Sequence, residues 1–196
     1  MRNLLFLFLL LNGCTGVPAP SENLREDISA LQEPEAQTAF LEAIYDRDQL
    51  VRTQEKEALQ QYGYDSAERQ QAIETLMQTD QENLAKVEAY LEIHGHPRKD
   101  VHSDKAVSTP WLVIHHAPRS TGARRRNFPD LYRAYREGDL DDITFFLNRM
   151  YDMEFGERIT WEGSYSVEEE LDTLLRALKL EEIVNRIDKE LNASTE

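Results

Sequence analysis

From Pro34 to Gly95 the chain has no proline after the first residue and one internal glycine, Gly63. Apolar residues recur there every three or four positions, and a strand, with its period of two, cannot put such a pattern on one face. The pattern predicts a long helix opened by Pro34, carrying Phe40, Leu41, Ile44, Tyr45 and Val51, and running to about Gln61. Gly63 breaks it. Asp65, with Glu68 three residues on, offers a capping arrangement for a second helix striped by Ile73, Leu76, Met77, Leu84, Val87 and Leu91. Gly95 and Pro97 end that helix, and the two should form an antiparallel hairpin.

The rest of the chain extends the helical reading. Arg98 to Thr109 is polar and reads as a loop, and Trp111-Leu112-Val113-Ile114 is an apolar run that fits a buried helix or a short strand equally well. Arg119 to Asn127 reads as a basic, turn-rich loop. Helices are expected over Phe128 to Glu137 and Leu140 to Phe155, divided by Gly138-Asp139. Ser166 with Glu169 forms a capping box for a last helix striped by Leu171, Leu174, Leu175, Leu178, Ile183 and Ile187. The expectation is an all-α fold, a helical hairpin plus shorter helices in one irregular bundle, with room for a small hairpin near 156–165.

The first residues constrain location. Arg2 precedes an apolar stretch from Leu4 to Leu11, and Cys14, the one cysteine, follows Gly13. A charged start, a short apolar core and small residues before a break are the parts of a secretory signal, too short to span a bilayer as a stable helix. With cysteine at the break, the segment resembles a bacterial lipoprotein signal: residues 1–13 would be removed and Cys14 lipidated. Residues 14–22 would then tether one helical domain over 23–196. In the lipoproteins it resembles, Asp after the cysteine marks the inner membrane; Thr15 stands here and points to the outer membrane of the cell envelope. A lone cysteine also leaves no internal disulfide, so packing alone must hold the fold.

A net charge of −15 argues against nucleic acid as a partner and against a chain that lies on anionic lipid. No GxSxG, no Gly-rich phosphate loop and no cofactor motif occurs.

Candidate site residues stand out by position. Asp48 falls between Ile44 and Val51, and Asp80 between Met77 and Leu84, so both should face inward with those stripes. A buried carboxylate is costly unless paired or hydrogen-bonded. Arg52, one turn from Asp48, and Asn83, one turn from Asp80, are the local partners, and an ordinary intrahelical pair at a half-exposed edge is the plainer reading for Asp48 and Arg52. All five histidines lie between His94 and His116, with Asp100 and Asp104 in the same window. Imidazoles and carboxylates can hold zinc, but the spacing matches no metal signature, and solvated or structural histidines are the plainer reading. Arg124-Arg125-Arg126, with Arg119, Arg133 and Arg136, makes a basic island suited to a phosphate, a carboxylate or the chain's own acidic helices.

Asp48-Gln49 followed by Arg52, Asp80 with Asn83-Leu84, Gly95-His96-Pro97, and Trp111 to Ala117 resemble, in that order, an uncharacterised bacterial family. It is a mainly helical domain of unknown function often found behind lipoprotein signals. His116 matches the family's histidine in an apolar run-Gln-His-Ala motif, Gly138 a later glycine, and Asn148-Arg149 an Asp-Arg pair. His115 and Asn148 depart from the family's Gln and Asp, and Glu157 to Trp161 departs from its later motif. The resemblance implies a helical fold and a set of residues, with no activity attached.

Asp48, Asp80, Asn83, His116 and Arg149 are therefore expected to converge on one inward cluster, as a ligand pocket or as a packing network. The function this favours is a binding or scaffolding module anchored in the envelope, meeting an envelope protein or a small anionic ligand. The competing reading is an envelope hydrolase. His116 would be its general base or a metal ligand, Asp80 would orient His116 or share the metal, and Arg149 would receive an anionic substrate group.

Overall fold

The computed structural model describes residues 21–118, 122–157, 159 and 166–193. Cys14 and the signal segment lie outside the described residues, as does most of the 156–165 stretch. The fold is all-α, with eight helices and no strand among the described residues.

Helix α2 (Pro34–Tyr62) and helix α3 (Ala67–His94) form the framework. Pro34 starts α2 at a position where its missing N–H has no intrahelical partner to lose. Gly63, at φ +88°, ends it in a conformation side chains rarely adopt. The cap of α3 is Ser66, whose hydroxyl accepts from Arg69 N, one residue beyond the expected Asp65. Contacts between Glu55 and Arg69, Arg52 and Asp80, and Gln37 and Tyr90 run in opposite directions along the two helices, so the hairpin is antiparallel.

Helix α4 (Asp104–His116) packs across both. The polar stretch Arg98 to Thr109 reads as a loop, and Pro110 disfavours helix at the residue before it. The helix nevertheless begins at Asp104, capped by Ser103, and runs through Pro110. Trp111 to Ile114 is thus helical. Helix α1 (Glu22–Ser29), which the sequence does not signal, is capped by Ser21 and pinned to α3 by the His94 imidazole, 2.9 Å from the Ile28 carbonyl.

Helix α5 (Ala123–Glu137) absorbs Arg124 to Asn127, so these residues form a first helical turn where a loop was expected. Helix α6 (Thr144–Phe155) starts later than expected; Asp142 accepts from the Thr144 N–H. The expected last helix is two, α7 (Val167–Ala177) and α8 (Glu181–Ala193), parted at Lys179 with φ +55°. That turn buries both Leu178 and Leu180, which a continuous helix would point about 200° apart.

The larger core joins Leu84, Val87 and Ile114 to Phe128, Leu131, Phe146, Leu147, Leu174 and Ile187. A smaller one packs Ile28 of α1 against Leu41, Tyr90 and Ala106. Both lean on Phe40, so α2 carries the two cores together.

Candidate functional site

Asp48, Asp80 and Asn83 all point inward, at 1%, 7% and 1% exposure. Met77, expected on the same stripe as Asp80, is exposed, so the buried face of α3 begins at Thr79 and Asp80.

Arg52 is the hub. Its Nη2 stands 2.5 Å from Asp80 Oδ1 on the neighbouring helix and 3.2 Å from Asp48 Oδ1 on its own. Its Nε lies 3.2 Å from Asp48 Oδ2 and 2.9 Å from His116 Nδ1. Gln49 Nε2 donates to Asp48 Oδ2 at 2.8 Å. One guanidinium therefore ties α2 to α3 and lies against His116 at the C-terminal end of α4, the forked geometry a lysine cannot reproduce.

His116 Nδ1 also stands 3.0 Å from Asp48 Oδ1. One nitrogen cannot both donate to Asp48 and accept from Arg52, so the proton must be assigned. We place it on Nδ1. A bare lone pair facing a buried carboxylate at 3.0 Å would be strongly repelled, and Arg52 Nε–H has Asp48 Oδ2 as an alternative acceptor. Nε2 is then the free acceptor. It makes no hydrogen bond among the described residues, and the side chain is 21% exposed.

The two carboxylates differ in acidity. Burial pushes Asp48 up, but the hydrogen bonds and charges of His116 and Arg52 outweigh it and hold Asp48 below the usual carboxylate range. Asp80 is pushed up by burial and by the neighbouring Asp48, against the pull of Arg52 and His116.

Arg149 does not join this network. It pairs with Asp152 one turn along α6, at 2.9 Å. Asn83 is in place, yet its Nδ2 has no hydrogen-bond partner among the described residues. His115 diverges from His116 and lies between Trp111 and Phe145, ring centroids 5.0 and 5.1 Å away. Burial, then His116 and the arginines 124, 149 and 52, lower its pKa to about 4, so this ring is neutral. His96 is likewise lowered to about 4 by burial. His94 and His102 are structural, bonded to Ile28 and Thr38. Among the described residues no group of three or more His, Cys, Asp or Glu could hold a metal ion. Between Asp48 and Asp80, the place a cation would take is filled by the Arg52 guanidinium.

The basic island is mostly spent on the chain's own acids. Arg125 pairs with Glu154, Arg126 with Glu88, Arg133 with Glu190 and Arg136 with Asp188. Arg124 is different: it is 5% exposed and donates to the His115 carbonyl. Sequence reasoning named Arg52 as a local partner of Asp48 and missed its reach to α3, for which the only signal was that an inward Asp80 needs a cation. No family model, curated protein or solved structure matches the chain.

Proposed function

We propose that this chain is a bacterial envelope lipoprotein that binds or scaffolds, held at the outer membrane through Cys14, with the Arg52 network as a rigid frame for its helices. The observation that carries the reading is the closure of the network on itself. Asp48 and Asp80 share Arg52, His116 is held by Asp48, and no direct hydrogen bond joins Asp80 to His116 among the described residues. A general base sharing its proton or a metal with Asp80 would need direct contact between them. Membrane attachment in this reading rests on the lipid anchor; no described helix is long and apolar enough to cross a membrane.

One observation favours the enzyme reading as the second. Asp48 holds His116 through Nδ1 and leaves Nε2 open to solvent, the orientation a histidine base requires.

Stability separates the two. A packing residue destabilises when removed, whereas a residue kept for chemistry is commonly neutral or costly to the fold. His116→Ala should lower the melting temperature by about 5 °C, since it strips a donor from a buried carboxylate. An unchanged or raised melting temperature would overturn the framing role and favour the hydrolase. In parallel, Cys14→Ser should move the protein from the membrane fraction to the soluble one, and continued tight membrane association would overturn the anchor.

A further inference from the structure

Helix α5 is preceded by Gly122, whose φ of +62° places glycine at the cap position, where it has no side chain to cap with. Its first turn holds Arg124, Arg125 and Arg126 and no acid. Cations at the positive end of a helix dipole are the wrong sign, so this end of the molecule is doubly short of negative charge. Arg125 and Arg126 are supplied by Glu154 and Glu88. Arg124 is not. It has no carboxylate partner among the described residues, and its Nε is buried without a hydrogen bond. Arg149 adds further positive charge beside it, and burial followed by Arg149 lowers the Arg124 pKa to about 10.

Arg124 forms part of the wall of a cavity of about 240 Å³, which is completed by Gly122, Ala123, Met150, Met153 and Glu154. We propose that this cavity binds a monoanionic carboxylate carried on a short apolar chain, with the carboxylate on Arg124 at the N-terminus of α5 and the chain against Met150 and Met153.

Three features select that class. A planar guanidinium fork matches a carboxylate. The thioethers offer an adaptable apolar wall. Glu154, already committed to Arg125, stands in the wall and disfavours a doubly charged phosphate. The cavity is smaller than the range that drug-sized ligands occupy, so the molecule is small. The site gives the binding-module reading a ligand class and rests on that reading; the His116 result bears on the frame and leaves this cavity untouched.

The test is calorimetric titration of the full chain in detergent with butanoate, butanamide and inorganic phosphate at matched ionic strength. Butanoate should bind and the neutral amide should not. Arg124→Met should weaken butanoate binding by about 30-fold or more, the loss expected when one member of a buried charge pair is truncated. The empty Arg124→Met protein should melt no lower than wild type, because it loses a buried cation that has no carboxylate among the described residues, against one hydrogen bond to the His115 carbonyl. Met153→Glu, on a half-buried wall, should also abolish binding, and decides the matter if Arg124→Met does not fold. Wild type that ignores butanoate, variants that bind it equally well, or phosphate bound more tightly than butanoate would each overturn the proposal.

Discussion

Arg52 on α2 reaches Asp80 on α3 across the hairpin, 2.5 Å from nitrogen to oxygen, while the same guanidinium holds Asp48 one turn back on its own helix. The pair converts two inward carboxylates, each costly alone, into one compensated unit. It also joins the hairpin at its middle, about 18 Å along α2 from the Phe40–Tyr90 stack.

Removing the hub should be expensive. Arg52→Met leaves Asp80 buried without its ion pair and Asp48 with only His116 and Gln49 as donors, and breaking a buried pair in this way costs about 3–5 kcal/mol. Urea unfolding monitored by circular dichroism measures it. Arg52→Lys should recover only part of the loss, since a point charge cannot span both carboxylates with the guanidinium's geometry. Full recovery by lysine would show that charge alone matters there.

The carboxylates should respond to pH with opposite signs. Asp48 has a depressed folded pKa, so its stabilisation is present above the unfolded value of about 3.9 and is lost as pH falls through the folded one. Asp80 has a raised folded pKa, so stability falls as pH rises from about 3.9 through the folded value. Asp80→Asn, a fixed neutral isostere, should therefore gain on wild type between about pH 4 and neutrality. Asp48→Asn should lose less than wild type on acidification below about pH 4. Denaturation curves collected across that range compare them.

His115 should make the fold acid-sensitive before either carboxylate does. Its pKa is lowered to about 4 from an ordinary value near 6.5, so its contribution is complete above the unfolded value and is withdrawn as pH falls through the folded one. Each pH unit in that interval is worth about 1.4 kcal/mol, which gives about 3 kcal/mol in all. His115→Phe keeps an aromatic ring between Trp111 and Phe145 and cannot charge. Stability of that variant should fall less than that of wild type between about pH 6.5 and pH 4, as read by thermal melts.

Ser166 closes a complete capping box, accepting from Glu169 N at 3.2 Å while Glu169 Oε2 accepts from Ser166 N at 2.9 Å. Ser166→Ala should cost about 1 kcal/mol. The change should appear as local loss of amide protection in the first turn of α7, and Ser166→Asp should restore it.

Much of the helix pattern is written locally. The Pro34 and Gly63 boundaries, the α7 capping box and the inward placement of Asp48 and Asp80 depend on spacing within one segment, which is visible along the chain. The α1 helix, the start of α4 before Pro110 and the break at Lys179 were not. Each depends on burial against other segments: His94 on Ile28, Ser103 ahead of a helix that packs on α2 and α3, Leu178 and Leu180 in one core.

The same division holds for the sites. Residue type and period determined that the chain is helical and that two carboxylates must be buried with it. Only the tertiary structure decided what neutralises them. It took Arg52 from a local ion pair to a hub, set Arg149 apart on Asp152, and left Arg124 buried without an acid among the described residues. The reason is one of range: helical spacing fixes which face a side chain occupies, but the partner on the facing helix is set by crossing geometry, to which residues far apart in sequence contribute together.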